Sequence, residues 1–168
     1  MKKVLSLVLA LVLVLGMIPT FAAAHETGAE LLFEHNFIVG DENGDLMVEK
    51  MLTRDEMTVL LAQMYGKEVE AAAFVAPANF TDAAEFGWAA NFISFAQASE
   101  WLSGFPDGTY RAKEAVTGEQ LLSFLMQVLG YDFEWNTVVA DAAAVGLTVS
   151  TEGPILRGAA FETMWIAV

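Results

Sequence analysis

Residues 104–130 read GFPDGTYRAKEAVTGEQLLSFLMQVLG, and this stretch decides the fold. The proline and glycines around Asp107 demand a tight turn. Thr117 and Gln120 then have the spacing of a capping box, in which the threonine is the N-cap. The apolar residues that follow recur at i, i+3, i+4, i+7 and i+8, and Gly130 stands where a left-handed C-cap belongs. The stretch therefore predicts a turn-rich loop that leads into a capped amphipathic helix.

The same plan occurs 64 residues earlier, at residues 40–66. Thr53 and Glu56 take the places of the capping-box pair, and Gly66 takes the place of the C-cap glycine. The other positions in register are Gly40, Asn43, Gly44, Met57, Leu60, Leu61, Met64 and Tyr65. Because turn, cap and core residues are all kept in kind, we interpret the two stretches as a duplicated helical unit.

A third unit follows the same order more weakly. Apolar residues predict a helix over 135–146, then an extended piece at 147–151, a turn and a last amphipathic helix. Leu156 stands where the first two units have threonine, so this last helix is predicted to lack its N-cap. In the second unit, Trp88 and Phe92 begin an aromatic stripe at helical spacing. Three helix–loop–helix units predict a mainly α fold.

The leader and the connector complete the division of the chain. Residues 1–24 have the two lysines, apolar run and small-residue end of a secretory signal peptide, with cleavage after Ala24. A retained membrane helix is the alternative, but the run is short for a span of about 20 residues. No later stretch is apolar enough to cross a bilayer. The three units are placed at 25–66, 80–130 and 131–168, joined by an exposed, partly helical connector at 67–79.

Composition excludes several classes of function. The chain has 8 basic and 22 acidic residues, which argues against a nucleic-acid partner because that binding needs many Lys and Arg contacts to phosphate. It has no cysteine, so disulfides, thiolate metal sites and cysteine catalysis are excluded. His25 and His35 are its only histidines, and it has no phosphate loop, nucleophile elbow or Ser/His/Asp order. We predict no enzyme activity and no cofactor.

A calcium loop is the weakest of the alternatives. Asp41, Asn43 and Asp45 resemble the start of such a loop, as found in dockerins. However, Leu46 and Leu52 stand at the positions that need glycine and a carboxylate. We predict no metal site, and a calcium-dependent docking module is kept only as the lowest-ranked function.

Several pieces of the chain resemble S-layer homology (SLH) domains. They are TRDE at 53–56, FTD at 80–82 followed by Trp88-Ala89, GFPDGTY at 104–110, and the stretches 121–131 and 135–147. The resemblance implies three repeats in pseudo-threefold arrangement around a central helical bundle. It also implies grooves between repeats that bind a secondary cell wall polysaccharide, often bearing pyruvyl ketals. Such binding would attach an exported protein noncovalently to a Gram-positive type envelope, so we expect a secreted protein associated with the cell wall or S-layer.

The resemblance also singles out binding residues. Arg54 and Arg157 come directly after the N-cap position of their helices, where a guanidinium fork and the free helix N–H groups would meet one carboxylate. Gly44 and Gly108 would let the backbone approach a sugar closely. The glycan-binding candidates are Thr53, Arg54, Arg157, Gly44, Asp107, Gly108 and Trp88.

Two positions depart from the SLH pattern. Gly118 stands where the second repeat needs arginine, and Ala159 where the third needs an acidic residue, so at most two grooves are equipped unless Arg111 or Lys113 substitutes.

Other interpretations of the candidate residues stay open at this point. Arg54 could be a solvated helix-end residue paired with Glu56 or Asp55. The tryptophans could serve packing, and Asp107 could cap its own turn. The alternative function is a protein-interaction or scaffold module with degenerate grooves and protein partners at the cell surface.

Overall fold

The structure is a computed structural model that describes residues 27–168, so the predicted signal peptide lies outside the described residues. These residues form seven α-helices and two short 3₁₀ turns, and their only β pairing consists of isolated bridges. The helices are α1 Gly28–Glu34, α2 Arg54–Met64, α3 Glu68–Ala72, α4 Ala90–Ala98, α5 Gly118–Val128, α6 Val138–Ala144 and α7 Arg157–Ile166. The prediction of a mainly α fold is confirmed.

Both ends of α5 and the start of α7 are where the sequence placed them. In α5, the Gln120 N–H donates to the Thr117 hydroxyl and the Thr117 N–H donates to the Gln120 amide oxygen, both at 3.3 Å. Gly130 follows this helix at a φ of +76°, as a left-handed C-cap requires. In α7, Leu156 makes no side-chain cap. The sequence pattern alone was therefore sufficient to place these boundaries.

Two predicted helices begin later than expected. The helix predicted over 135–146 covers only Val138–Ala144, and Trp135 lies before it on the surface. The aromatic stripe of the second unit fails at its first member, because Trp88 lies in a 3₁₀ turn after Gly87, whose φ is +55°. A left-handed residue interrupts the α-helical backbone, so α4 starts only at Ala90.

Three segments that precede helices close a ring of backbone hydrogen bonds. The Leu52 N–H donates to the Ile155 carbonyl at 3.1 Å, the Ile155 N–H to the Val116 carbonyl at 2.9 Å, and the Val116 N–H to the Leu52 carbonyl at 2.8 Å. Each of these buried residues comes just before the N-cap of α2, α5 or α7. The ring therefore brings the N-termini of these three helices together, one from each predicted unit. Pseudo-threefold symmetry of the whole stays a prediction.

The core is built from every unit and has Tyr110 at its centre. Its ring is fully buried against Phe80 and Phe86, and its hydroxyl lies 2.6 Å from the Thr58 hydroxyl and donates to the Arg54 carbonyl at 3.0 Å. Burial raises the pKa of Tyr110 to about 12, so the hydroxyl stays protonated and remains a donor. This polar contact ties the loop of the second unit to the first turn of α2.

Tyr110→Phe tests that contact. The change keeps the ring but removes the hydroxyl, so we expect the free energy of unfolding to fall by about 1–2 kcal/mol. Urea unfolding followed by circular dichroism measures it, with exposed Tyr131→Phe as the matched control. An unchanged midpoint for Tyr110→Phe would show that the hydroxyl does not stabilise the fold.

The connector at 67–79 is mostly exposed and partly helical, as predicted, and it is attached to the second unit at two points. It contains α3, and Ala71 is fully buried. The Phe74 ring packs edge-on against Phe95 at 5.8 Å between centroids. Among residues 27–168, no helix has the length and apolarity to cross a membrane.

Candidate functional site

Arg54 is the first residue of α2, and its side chain crosses into the loop of the second unit. The residue is only 4% exposed. Its Nε donates to the Tyr110 carbonyl at 2.8 Å, and its Nη2 lies 3.4 Å from the Ser103 carbonyl. The loop at 103–110 thus holds the guanidinium in place by backbone oxygens.

Aromatic rings surround the same guanidinium. Its central carbon lies 4.4 Å from the ring centroid of Tyr110, 4.9 Å from that of Phe105 and 5.1 Å from that of Phe124. Ring faces attract a cation, and more strongly where water is excluded. They carry no formal charge, however, so they do not neutralise Arg54.

Arg54 has no acidic partner in the described part of the chain. No carboxylate oxygen there comes within 4.0 Å of the guanidinium, and Nη1 makes no hydrogen bond there. Burial lowers the pKa of Arg54, yet an arginine starts so high that the group stays charged. The interpretation of Arg54 as a solvated residue paired with Glu56 or Asp55 is therefore wrong.

The guanidinium faces a groove of about 670 Å³, a volume suited to a small ligand. Besides the aromatic residues around Arg54, polar side chains and two exposed rings line it. Those that matter below are Gln120, Ser123, Gln127, Tyr131 and Trp135. Tyr131 is 46% exposed and Trp135 57%, so both ring faces can be reached from solvent. We call this cavity the Arg54 groove.

The N–H groups at the N-terminus of α2 are not available to a ligand, contrary to the expectation from the sequence. The Arg54 N–H donates to the Glu114 carbonyl at 3.0 Å, and the Asp55 N–H donates to the Ala112 carbonyl at 2.9 Å. The Glu56 N–H donates to the Asp55 carboxylate at 2.8 Å. The expectation of free N–H groups at this helix start is wrong, because two carbonyls of the second unit and the Asp55 carboxylate already accept them. Any anion in the groove would meet the arginine side chain alone.

Arg157, the first residue of α7, is held in the same way by the loop of the first unit. The residue is 6% exposed, its Nε donates to the Leu46 carbonyl at 3.1 Å, and its N–H donates to the Lys50 carbonyl at 2.8 Å. Leu46 and Lys50 lie 64 residues before the Tyr110 and Glu114 that hold Arg54. The two arginines are thus inserted by equivalent contacts.

The two arginines differ in charge balance. Nη1 of Arg157 lies 3.6 Å from Oε2 of Glu56, and the ammonium of Lys50 lies 2.6 Å from Oε1 of the same carboxylate. Burial opposes ionisation of Glu56, but the hydrogen bonds from Lys50 and the Thr53 N–H, and the charges of Lys50 and Arg157, outweigh it and lower the pKa of Glu56. The carboxylate is therefore ionised and is a counter-ion that Arg157 shares with Lys50.

There is no room for an arginine at Gly118, the position of the second unit that corresponds to Arg54. A Cβ added to Gly118 would lie 2.0 Å from the Ser150 carbonyl oxygen, so the backbone of the third unit closes this position. Arg111 and Lys113, the predicted substitutes, are engaged in ion pairs with Asp107 at 2.8 Å and Asp55 at 2.5 Å.

The remaining candidates lie outside the lining of the Arg54 groove. Thr53 donates its N–H to Glu56 and its hydroxyl to Asp55. Gly44 and Gly108 take left-handed turn positions at φ of +80° and +82°. Trp88 is 61% exposed and lies under the ammonium of Lys113, 5.6 Å from its ring centroid. Their binding roles stay predictions.

Asp107 caps its own turn, as one of the two interpretations held. Its carboxylate accepts bonds from the Thr109 hydroxyl at 2.6 Å and N–H at 3.0 Å, and from Arg111 at 2.8 Å. In the calcium-like turn, Oδ1 of Asp41 likewise accepts the Asn43 and Asp45 N–H groups.

Asp107 should therefore titrate abnormally. The Thr109 hydroxyl, followed by Arg111 and the Thr109 N–H, holds its pKa well below the usual 3.8. Since the folded pKa is the lower one, the stabilisation is present above the unfolded pKa and is lost as the pH falls through the folded value. Carboxyl-detected NMR should find Asp107 ionised at pH 3.8, and Arg111→Ala should raise its pKa. A midpoint at the usual value would contradict this geometry.

Apart from Arg54, none of the residues that line the groove was predicted from the sequence to bind a ligand. Gln120 was used only as a helix cap, and Trp135 only as a core position. Gly130 is the sequence feature that could have indicated these lining residues. A helix that ends there leaves Tyr131 and the residues after it free to lie beside the turn at 104–106.

Comparison with known proteins gives a consistent family. Residues 79–122 match the model of the S-layer homology domain. The chain is 27% identical over 173 residues to the middle cell wall protein of Brevibacillus brevis and 28% identical over 174 residues to the surface layer protein of Brevibacillus choshinensis. These alignments cover 92% and 94% of the chain but only 16% of each relative.

A shorter match lies with a protein of another bacterium. The chain is 28% identical over 81 residues to the cellulosome-anchoring protein of Acetivibrio thermocellus, covering 48% of the chain and 18% of that protein. The chain therefore contains an S-layer homology domain match at residues 79–122, and it is similar over nearly its whole length to a cell wall protein and a surface layer protein.

Proposed function

We propose that the chain is a non-catalytic anchoring module of the cell surface that binds an acidic wall polysaccharide in the Arg54 groove. The single observation that supports this most is the buried guanidinium of Arg54, which has no carboxylate partner in residues 27–168 and faces an open groove. A buried charge without a counter-ion is costly, so a ligand that supplies one gains affinity.

The ligand class follows from the groove's chemistry. A pyruvyl ketal on a sugar offers a fixed carboxylate, and a guanidinium fork binds a carboxylate through two charge-assisted bonds. Nη1 of Arg54 is without a hydrogen-bond partner in the described residues, and none of their buried polar side-chain atoms is unsatisfied, so Nη1 is reached by solvent. This atom is the first contact that we assign to the ligand carboxylate.

The rest of the groove suits the sugar ring. Tyr131 and Trp135 present exposed aromatic faces on which a ring can stack, and Gln120 supplies an amide for its hydroxyl groups. Ser123 and Gln127 are already bonded to each other at 2.9 Å and form a fixed polar wall. Aromatic, amide and guanidinium groups in one cleft favour an acidic saccharide over a bare anion.

Cosedimentation with purified wall tests the proposal. The chain without its predicted signal peptide, residues 25–168 (the mature chain), is incubated with three preparations. They are wall carrying a pyruvylated polysaccharide, the same wall after mild-acid removal of the ketals, and wall stripped of the polysaccharide. We expect retention on the first only. Equal retention on all three would rule out recognition of the acidic sugar.

A scaffold function is the second candidate. It is favoured by the lack of room for an arginine at Gly118 and by the Glu56 counter-ion of Arg157, which leave Arg54 as the one arginine of residues 27–168 without a carboxylate partner. In that case the module would bind a protein partner at the cell surface, and retention on the wall would not depend on its polysaccharide at all.

A further inference from the structure

Equivalent positions of two helices lie in the surroundings of the two inserted arginines. Gln120 is the third residue of α5 and lines the Arg54 groove. Glu56 is the third residue of α2 and lies 3.6 Å from Arg157. These two residues are 64 positions apart, in the register that relates the first two units. One chemical difference, an amide against a carboxylate, separates the two sites.

We infer that the side chain at this third helix position decides which of the two inserted arginines accepts an acidic ligand. Gln120 leaves the charge of Arg54 available, whereas Glu56 serves as a built-in counter-ion that occupies Arg157. The inference rests on the proposed function for the Arg54 groove, and it adds a residue that sets the specificity of that groove for charged over neutral sugars.

Exchange between the two residues should preserve the fold, because both make the same helix cap. The Thr117 N–H donates to the Gln120 amide oxygen at 3.3 Å, and the Thr53 N–H donates to the Glu56 carboxylate at 3.2 Å. Glutamine and glutamate have nearly the same shape, and each already caps one of the two helices. A binding change on exchange is therefore a charge effect.

The residues in register with the lining of the Arg54 groove are also different in the first unit. The residues 64 positions before Phe105 and Tyr131 are Asp41 and Lys67, neither of which is aromatic. Freeing Arg157 would consequently create a site for a simple carboxylate, without a platform for a sugar ring. This difference decides the probe for each arm of the experiment.

Gln120→Glu is the first arm. The probe is methyl 4,6-O-(1-carboxyethylidene)-β-D-glucopyranoside, followed by NMR titration of the mature chain. We expect at least about tenfold weaker binding, because the new carboxylate neutralises Arg54 and repels the ligand. Thermal stability should be unchanged or higher, because an acidic residue in the first helical turn is favourable.

Two control variants separate charge from other effects. Gln120→Ala removes the amide without adding charge and should weaken binding by much less than Gln120→Glu. Glu119→Gln changes charge at the adjacent exposed residue and should leave binding unchanged. The inference is overturned if Gln120→Glu binds like the parent chain, or if Gln120→Ala loses as much as Gln120→Glu.

Glu56→Gln is the reciprocal arm, and it does not depend on sugar binding. The probe is sodium pyruvate, and the readout is the Nε–H signal of Arg157. The parent chain should show no saturable shift of this signal, and the variant should show one. If the parent chain fails to bind the ketal probe, the proposed function fails, while this arm still tests the counter-ion. A variant whose Arg157 signal ignores pyruvate would overturn the inference alone.

Discussion

Replacing Arg54 with alanine is expected to abolish retention on pyruvylated wall, with at least about 30-fold weaker binding of the ketal probe. The expectation follows from truncating one partner of a desolvated, hydrogen-bonded charge pair, which costs about 2–5 kcal/mol. Arg54→Lys should recover only part of the affinity, since an ammonium keeps the charge but loses the two-pronged geometry. Titration of the purified variants with the probe measures both changes.

Arg157→Ala is the matched control for this variant. Arg157 has the same first position in its helix, similar burial and equivalent backbone contacts, but Glu56 is already its counter-ion. Its removal should therefore destabilise the fold without changing retention. If the two variants lose retention to the same extent, the loss in both must be attributed to unfolding. Thermal unfolding of both variants must therefore be recorded alongside.

The largest stability effect is expected at Gly118. A methyl group there would lie 2.0 Å from the Ser150 carbonyl oxygen and 2.9 Å from its carbon, and these are backbone atoms that cannot rotate away. Overpacking against backbone costs about 3 kcal/mol or more, which outweighs the gain in helix propensity of about 1 kcal/mol. Gly118→Ala should consequently lower the free energy of unfolding by at least about 2 kcal/mol.

Urea unfolding measures this change, and Glu119→Ala on the same exposed turn is the control, for which a change below about 1 kcal/mol is expected. A Gly118→Ala variant as stable as the parent chain would mean that the third unit does not press against α5 in this way. Gly118→Arg should be worse still, so the missing arginine of the SLH pattern cannot simply be restored.

The helices and their ends could be predicted because they depend on local chemistry. Thr117 with Gln120, the left-handed Gly130 and the uncapped Leu156 are each decided by neighbours in the chain. The position of Trp88 outside the α-helix could not be predicted in this way, because the pattern of apolar residues does not show that Gly87 adopts a positive φ. Local rules therefore gave the elements but missed the point where one conformation overrides spacing.

The site was predictable only in part. The resemblance to S-layer homology domains singled out Arg54 and Arg157, yet whether each is solvated, unpaired or paired with a carboxylate depends on a different unit of the fold. Glu56 was predicted as a capping residue. Its neighbours in the sequence do not indicate a contact with Arg157, which lies about 100 residues away. Burial by the loop at 103–110 likewise exists only once the units are packed together.

The backbone ring also bears on how the chain reaches its native state. Leu52, Val116 and Ile155 lie far apart in sequence, so closing the ring requires long loops to be ordered first, at an entropic cost. A fragment that ends before residue 131 would strand the Leu52 donor and the Val116 acceptor in a buried position. Nascent chains should thus stay incompletely folded until the last helix has emerged, and then become ordered in one cooperative step.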